Sequence, residues 1–223
     1  GRDPTDAEQL RFVDPLKGPE VMPAMVLVMA HPGFWLGDPS SGVDPKAVLH
    51  AAQGFQIFGP LPASGVVQSH TRLTDLIDKG AGKAALILTE TELSDASGRV
   101  FARLDRTTFI RGGGGFGGKD AAPADREEAP SGPPDFTVDL ETGAEQALLY
   151  RLNGDLNPLH SDPEIARRSG FSRPILHGLC TMGVVTHALL KALADYRAER
   201  LGAVSLRVSK PVYPGETTRT EIW

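Results

Sequence analysis

The sequence predicts an α+β protein in which antiparallel sheets wrap onto helix, arranged as two joined halves. Three observations point there. A proline-free apolar run from Gly178 to about Arg197 is followed by alternating residues at Ala203–Ser209, the pattern of a helix leading into a half-buried strand. The first half carries three strand-like runs in succession, Gly65–Leu76, Ala84–Leu93 and Val100–Ile110. Between the halves, residues 112–134 are too rich in Gly and Pro to pack as regular structure. The division is therefore an N-terminal half over 1–111, a linker over 112–134 and a C-terminal half over 135–223.

The elements follow in order. Pro32–Pro60 is interrupted by Pro32, Pro39, Pro45 and several glycines, so the first half is poor in helix. Its strands alternate, as at Val100, Ala102 and Leu104, and turn at Asp78-Lys79-Gly80-Ala81-Gly82 and Ser94-Asp95-Ala96-Ser97-Gly98. After the linker, Ala144–Asn153 reads as a short helix. Asp162–Ser169 reads as another, with Ser161 or Asp162 as N-cap before Pro163. The long helix from Gly178 is expected to bury one stripe, Leu179, Met182, Val185, Leu189 and Leu193. Val204, Leu206 and Val208 alternate as a strand, Pro211–Glu216 turns, and Thr217–Trp223 begins another strand.

Bulk properties narrow the class. The 223 residues, 40% of them hydrophobic, suffice for a sizeable core. A net charge of −5 spread along the chain argues against nucleic acid as a partner, which would need clustered Lys and Arg. The longest apolar stretch, Val21–Ala30, is far short of the roughly 20 residues a spanning helix needs, so no membrane insertion is expected. The single cysteine, Cys180, excludes an intrachain disulfide and fits a reducing compartment. No signal peptide is evident. The chain opens without Met and stops within a strand-like run, which reads as a fragment.

The chemistry concentrates between Tyr150 and Gly178. Asp155, Asn157 and His160 place a carboxylate, an amide and an imidazole on a segment that Gly154 and Pro158 keep from being a simple helix. A converging carboxylate and imidazole can act as a general acid/base pair, with Asn157 orienting a water. Gly178 sits where a loop enters the long helix, so its N–H is unpaired at the positive end of the helix dipole, suited to a developing oxyanion. A glycine there also leaves room for a thioester. Other readings of the same residues remain open. Gly-Asp-x-Asn-Pro is good turn chemistry by itself, and a lone His160 reads as structural. His177 and His187 are read as structural, and Cys180 as a packed thiol. The histidines lack ligand spacing and no cysteine pair exists, so no metal site is expected. The Gly112–Gly118 run lacks a P-loop ending and follows an antiparallel strand, and is read as a floppy or substrate-covering loop.

At these residues the chain resembles the type 2 (R-specific) enoyl-CoA hydratases. That MaoC-like group includes the hydratase unit of peroxisomal multifunctional enzyme type 2. The resemblance lies in Tyr150-Arg-Leu-Asn-Gly-Asp-Leu-Asn-Pro-Leu-His160, Pro174-Ile-Leu-His-Gly-Leu-Cys-Thr181 and Lys210-Pro-Val-Tyr-Pro-Gly215. In the first half it lies in Val48-Leu49-His50, Asp78-Lys79-Gly80 and Gly114-Gly115-Phe116-Gly117-Gly118. It implies a double hot-dog fold whose first half has a degenerate helix that leaves space for a bulky acyl chain. It also implies hydration of a trans-2-enoyl-CoA to the (3R)-hydroxyacyl-CoA, without metal or redox cofactor. Asp155 and His160 would be the acid/base pair, Asn157 would assist, and Gly178 would form the oxyanion hole. His50, Ala51, Lys79 and Val208 would line the acyl-CoA site, with Ala51 replacing an expected glycine. The family usually begins with a further helical segment and ends with more strands. A homodimer is the expected assembly, and the cytoplasm the expected compartment, or the peroxisome if the source is eukaryotic. A hot-dog thioesterase and a non-catalytic acyl-CoA-binding partner are the alternatives.

Overall fold

A computed structural model describes residues 6–17, 19–120 and 130–223. After a short helix α1 (Ala7–Leu10), the chain to Ala47 makes brief 3-10 turns among the described residues, including Pro23–Leu27, Trp35–Gly37, Pro39–Ser41 and Pro45–Ala47. Prolines open several of these, and the Asp38 and Asp44 side chains accept from the backbone two residues on, a chemistry that favours turns over continued helix. The helix-poor reading of this region holds up to Ala47.

The strands β1 (Val48–Ile57), β2 (Val67–Asp78), β3 (Ala85–Asp95) and β4 (Val100–Ile110) follow, then β5 (Phe136–Glu141). Helices α2 (Gln146–Tyr150), α3 (Pro163–Arg168) and α4 (Gly178–Leu193) precede the strands β6 (Ala203–Arg207) and β7 (Thr217–Ile222). Two antiparallel sheets result. The larger has the order β2-β3-β4-β1-β6, and β5 pairs with β7 in the smaller. The second half thus contributes β6 to the first half's sheet, Ala52 facing Arg207 and Gln56 facing Ala203.

The structure corrects the sequence reading in three places. Val48–Ile57, counted within a broken stretch, is a central strand. It lacks alternation because neighbours cover both of its faces, and flanking prolines disguise it. β5 was not anticipated, although its burial alternates at Val138 and Leu140. The long helix stops at Leu193, four residues early, where Asp195 and Tyr196 take left-handed φ values of 50° and 56°.

The buried stripe also differs from expectation. Cys180, Met182, Thr186, Ala188 and Leu190 are buried, whereas Leu193 is 51% exposed. The helix is apolar on most sides, so spacing alone selects no face. Packing selects it. One core cluster joins Met182 to Val26, Leu27, Phe55, Leu93, Phe101 and Ala102 of the first half. Another joins Ala188 to Val138 and Leu140 of the small sheet. α4 is therefore held between the two sheets, and its N-terminus is fixed at their junction. No helix among the described residues is long and apolar enough to cross a membrane.

Candidate active site

The segment leading to His160 is built from short turns. α2 runs into a 3-10 turn, Arg151–Asn153, which Gly154 ends with φ of 98°. A second 3-10 turn, Pro158–His160, starts with Pro158 in its first position, and the Asn157 side chain caps it by accepting from the Leu159 N–H at 3.0 Å. One oxygen of Asp155 accepts from the Asn157 N–H at 3.2 Å. The turn reading of Asp155 and Asn157 is thus part of the truth. It fixes the loop that holds the Asp155 carboxylate out while His160 turns inward, 9% exposed.

His160 Nδ1 lies 2.8 Å from the Ile175 carbonyl oxygen. A carbonyl only accepts, so Nδ1 carries the hydrogen and Nε2 keeps its lone pair. Burial holds the His160 imidazole below its usual range. His177 stacks on it with ring centroids 3.7 Å apart, and Tyr150 in turn packs against His177 at 4.6 Å. His177, 1% exposed, is pushed down to about 4, first by burial and then by the neighbouring His160. The Asp155 carboxylate and backbone pull the other way, yet neither nitrogen of His177 forms a well-aligned hydrogen bond. Polar atoms of Asp155, His160 and His177 all lie within 4.8 Å of one another. Such a trio has the ligand types a divalent metal takes. The two rings are stacked at 27°.

Three expected residues meet at the start of α4. His177 is the N-cap residue of α4 but gives no side-chain cap, so the helix's first N–H groups, Gly178 among them, have no intrahelical acceptor. A Cβ on Gly178 would lie 3.1 Å from His50 Nδ1 and 3.7 Å from Val208 Cγ2. Ala51 joins them through its carbonyl, which accepts from the Val208 N–H at 2.9 Å. It is the extra residue at the register shift between His50 and Ala52, a bulge that re-aims its neighbours. Burial and the nearby Arg106 push His50 down to about 4. Lys79 lies elsewhere, at the β2–β3 hairpin, where it pairs with Asp120 at 3.0 Å.

Sequence reasoning did not foresee three neighbours of the expected residues. His177 was read as structural, yet it stacks directly on His160. Tyr150 stood in the motif without a role. Arg106 was not considered. It occupies the inward phase that Ala102 and Leu104 set, and its charge acts on Asp155, His50 and Tyr150. A charged residue in the buried phase of a strand was the available signal. Cys180 is a packed thiol as expected, its pKa raised to about 11 by burial.

A helix-centred pair of antiparallel sheets with an Asp/His cluster at the helix N-terminus defines a hot-dog protein of the MaoC-like class. Family models agree: the MaoC like domain matches residues 125–223, and the MFE-2 hydratase 2 N-terminal domain matches residues 8–112. The Mycobacterium tuberculosis protein named Enoyl-CoA hydratase ChsH3 is 41% identical over 229 residues, covering 100% of this chain and 78% of that protein. Peroxisomal multifunctional enzyme type 2 of Drosophila melanogaster is 45% identical over 188 residues, 83% of this chain, but only 31% of that protein is spanned. The solved structure of the full-length fly enzyme superposes with a TM-score of 0.81 at 37% identity, covering 100% of this chain and 39% of that one. A Mycobacterium tuberculosis protein described as having a double hotdog fold superposes at a TM-score of 0.55 and 16% identity, covering 90% of this chain and 68% of that one, a likeness of fold alone. The chain belongs to the family of MaoC-like, type 2 enoyl-CoA hydratases.

Proposed function

We propose that this protein adds water reversibly across the trans-2 double bond of an enoyl-CoA, giving the (3R)-hydroxyacyl-CoA. The observation that carries the proposal is the convergence of the Asp155 carboxylate and His160 imidazole near the uncapped start of α4. The names of the relatives support the same reaction. The thioester carbonyl docks at the Gly178 N–H, where a developing enolate oxygen is stabilised. His160 Nε2, with its lone pair free, takes a proton from the attacking water as the water oxygen bonds to the β-carbon. Asp155 orients that water. One proton returns from the pair to the α-carbon on the same face, so water supplies both added groups and the pair ends as it began. Asn157 contributes by holding the loop, and its amide NH2 remains available to the water. His50, Ala51 and Val208 form the wall beside the thioester, and Lys79 offers a cation to the CoA moiety.

The thioester itself acidifies the α-carbon, so the reaction asks for no metal and no redox cofactor. A homodimer is part of the proposal and is measurable by sedimentation.

The test is loss of the enoyl-thioester absorbance with trans-2-enoyl-CoAs, coupled in parallel to R- and S-specific hydroxyacyl-CoA dehydrogenases. Signal only in the R-coupled assay is expected. Release of free CoA thiol, or binding without turnover, would overturn the hydratase reading.

A further inference from the structure

Arg106 stands out as a half-buried cation that forms no salt bridge among the described residues. Its Nε is sealed from solvent with no hydrogen-bond partner, and Nη1 makes a long contact, 3.4 Å, to His31 Nε2. Among the described residues no carboxylate pairs with it. The acids of the adjoining strand, Glu90 and Glu92, face the other side of the sheet and are engaged by Arg72 and Arg103. Burial weakens its hold on the proton, and the Asp155 charge works against that. A guanidinium nevertheless keeps its charge.

Arg106 lines a small cleft between the large sheet and the chain around residues 27–35. Leu27, His31 and Trp35 form the roof. The floor is polar: Gln53 and Thr89 sit directly across from Arg106 on the two flanking strands, with Thr91 beyond. Gln53 is occupied by the carbonyls of Gly54 and Asp105, so it does not answer the charge. The cleft lies along the same strands as His50, whose partner across the β1–β4 ladder is Thr108 while that of Gln53 is Arg106.

We propose that Arg106 is the docking point for a carboxylate on the acyl chain, so that the substrate is an enoyl-CoA whose chain ends in an acid. A plain alkyl tail entering this cleft strips water from the guanidinium and returns nothing. An acid-ended chain supplies the missing charge and matches the planar fork of donors. The thioester part of this inference rests on the hydratase reading; the recognition of the acid end does not.

Calorimetry with saturated acyl-CoAs tests it without turnover, using pairs of equal chain length that end in methyl or in carboxylate. Across a length series, the carboxylate-ended ligand is expected to bind on the order of 10- to 100-fold more tightly at the best length, the range for a hydrogen-bonded charge. Arg106→Leu should abolish that ratio, Arg106→Lys should keep part of it, and Arg106→Glu should invert it. Thermal unfolding of each variant checks its fold, and the lysine variant serves if the leucine variant does not fold. Free CoA is the remaining arm. If Arg106→Leu weakens free CoA as much as the acid-ended ligand, the cation serves the CoA phosphates and the inference fails. It fails equally if methyl-ended ligands match acid-ended ones at every length. A preserved preference without hydration sinks the hydratase reading alone.

Discussion

At Asp155, His160 and Gly178 the proposed chemistry makes three measurable claims. Asp155→Asn and His160→Gln should each lower kcat by about 10²–10⁴-fold, the usual share of a positioned acid or base, with little change in thermal unfolding. A variant that keeps most of its turnover removes that residue from the mechanism. Gly178→Ala should raise KM and lower kcat together, since its methyl would stand 3.1 Å from His50 Nδ1 in the space assigned to the thioester. The histidines set the pH dependence. His50 and His177 bind protons at about 4 when folded and near 6.5 when unfolded, so the unfolded chain binds more protons between those values. Stability is therefore full above about pH 6.5 and falls as the pH drops toward 4, by up to about 1.4 kcal/mol per pH unit for each histidine. Denaturant midpoints across that window measure it. Hydration should hold through neutrality and fail only below the ordinary histidine range, because burial keeps His160 neutral and able to accept a proton.

At the scale of elements, the glycine run after β4 is the clearest departure from a floppy loop. The N–H groups of Gly115, Gly117 and Gly118 donate to the Asp78 carboxylate, as does that of Gly80, and the Gly115 bond does most to depress the Asp78 pKa. The run is irregular, as its composition predicts, yet it is tied to the β2–β3 hairpin. Residues 121–129 of the expected linker lie outside the described residues. Gly114 shows why glycine is needed: a Cβ would lie 2.5 Å from the Gly80 carbonyl oxygen and 2.8 Å from that of Ala84. Gly114→Ala should cost about 1–3 kcal/mol, and Asp78→Ala should expose residues 112–120 to proteolysis and hydrogen exchange. The Asp78 and glycine residues were visible in the sequence, but their 40-residue separation hid the tie.

At the scale of the molecule, Met182 decides whether the halves are independent. It belongs to α4 of the second half, is 0% exposed, and packs in a cluster whose other buried members all come from the first half. Met182→Ala should cost about 2–5 kcal/mol, and calorimetry should show one cooperative transition in place of two. β6 adds to that coupling by completing the large sheet beside β1. The sequence by itself determined the α+β class, the strands β2, β3 and β4 to within two residues at their ends, the turns around Gly154 and Pro158, a cap on α3 at Ser161 or Asp162, and the closeness along the chain of Asp155, Asn157 and His160. These are local matters of alternation, capping and backbone restriction, or a motif whose spacing is short. Only the tertiary structure decided which face of α4 is buried, that Val48–Ile57 is a central strand, that His177 stacks on His160, and that Arg106 lines the cleft with no salt bridge among the described residues. Each of those depends on which distant segments pack together, and packing is chosen by the shape and charge of the assembled surfaces.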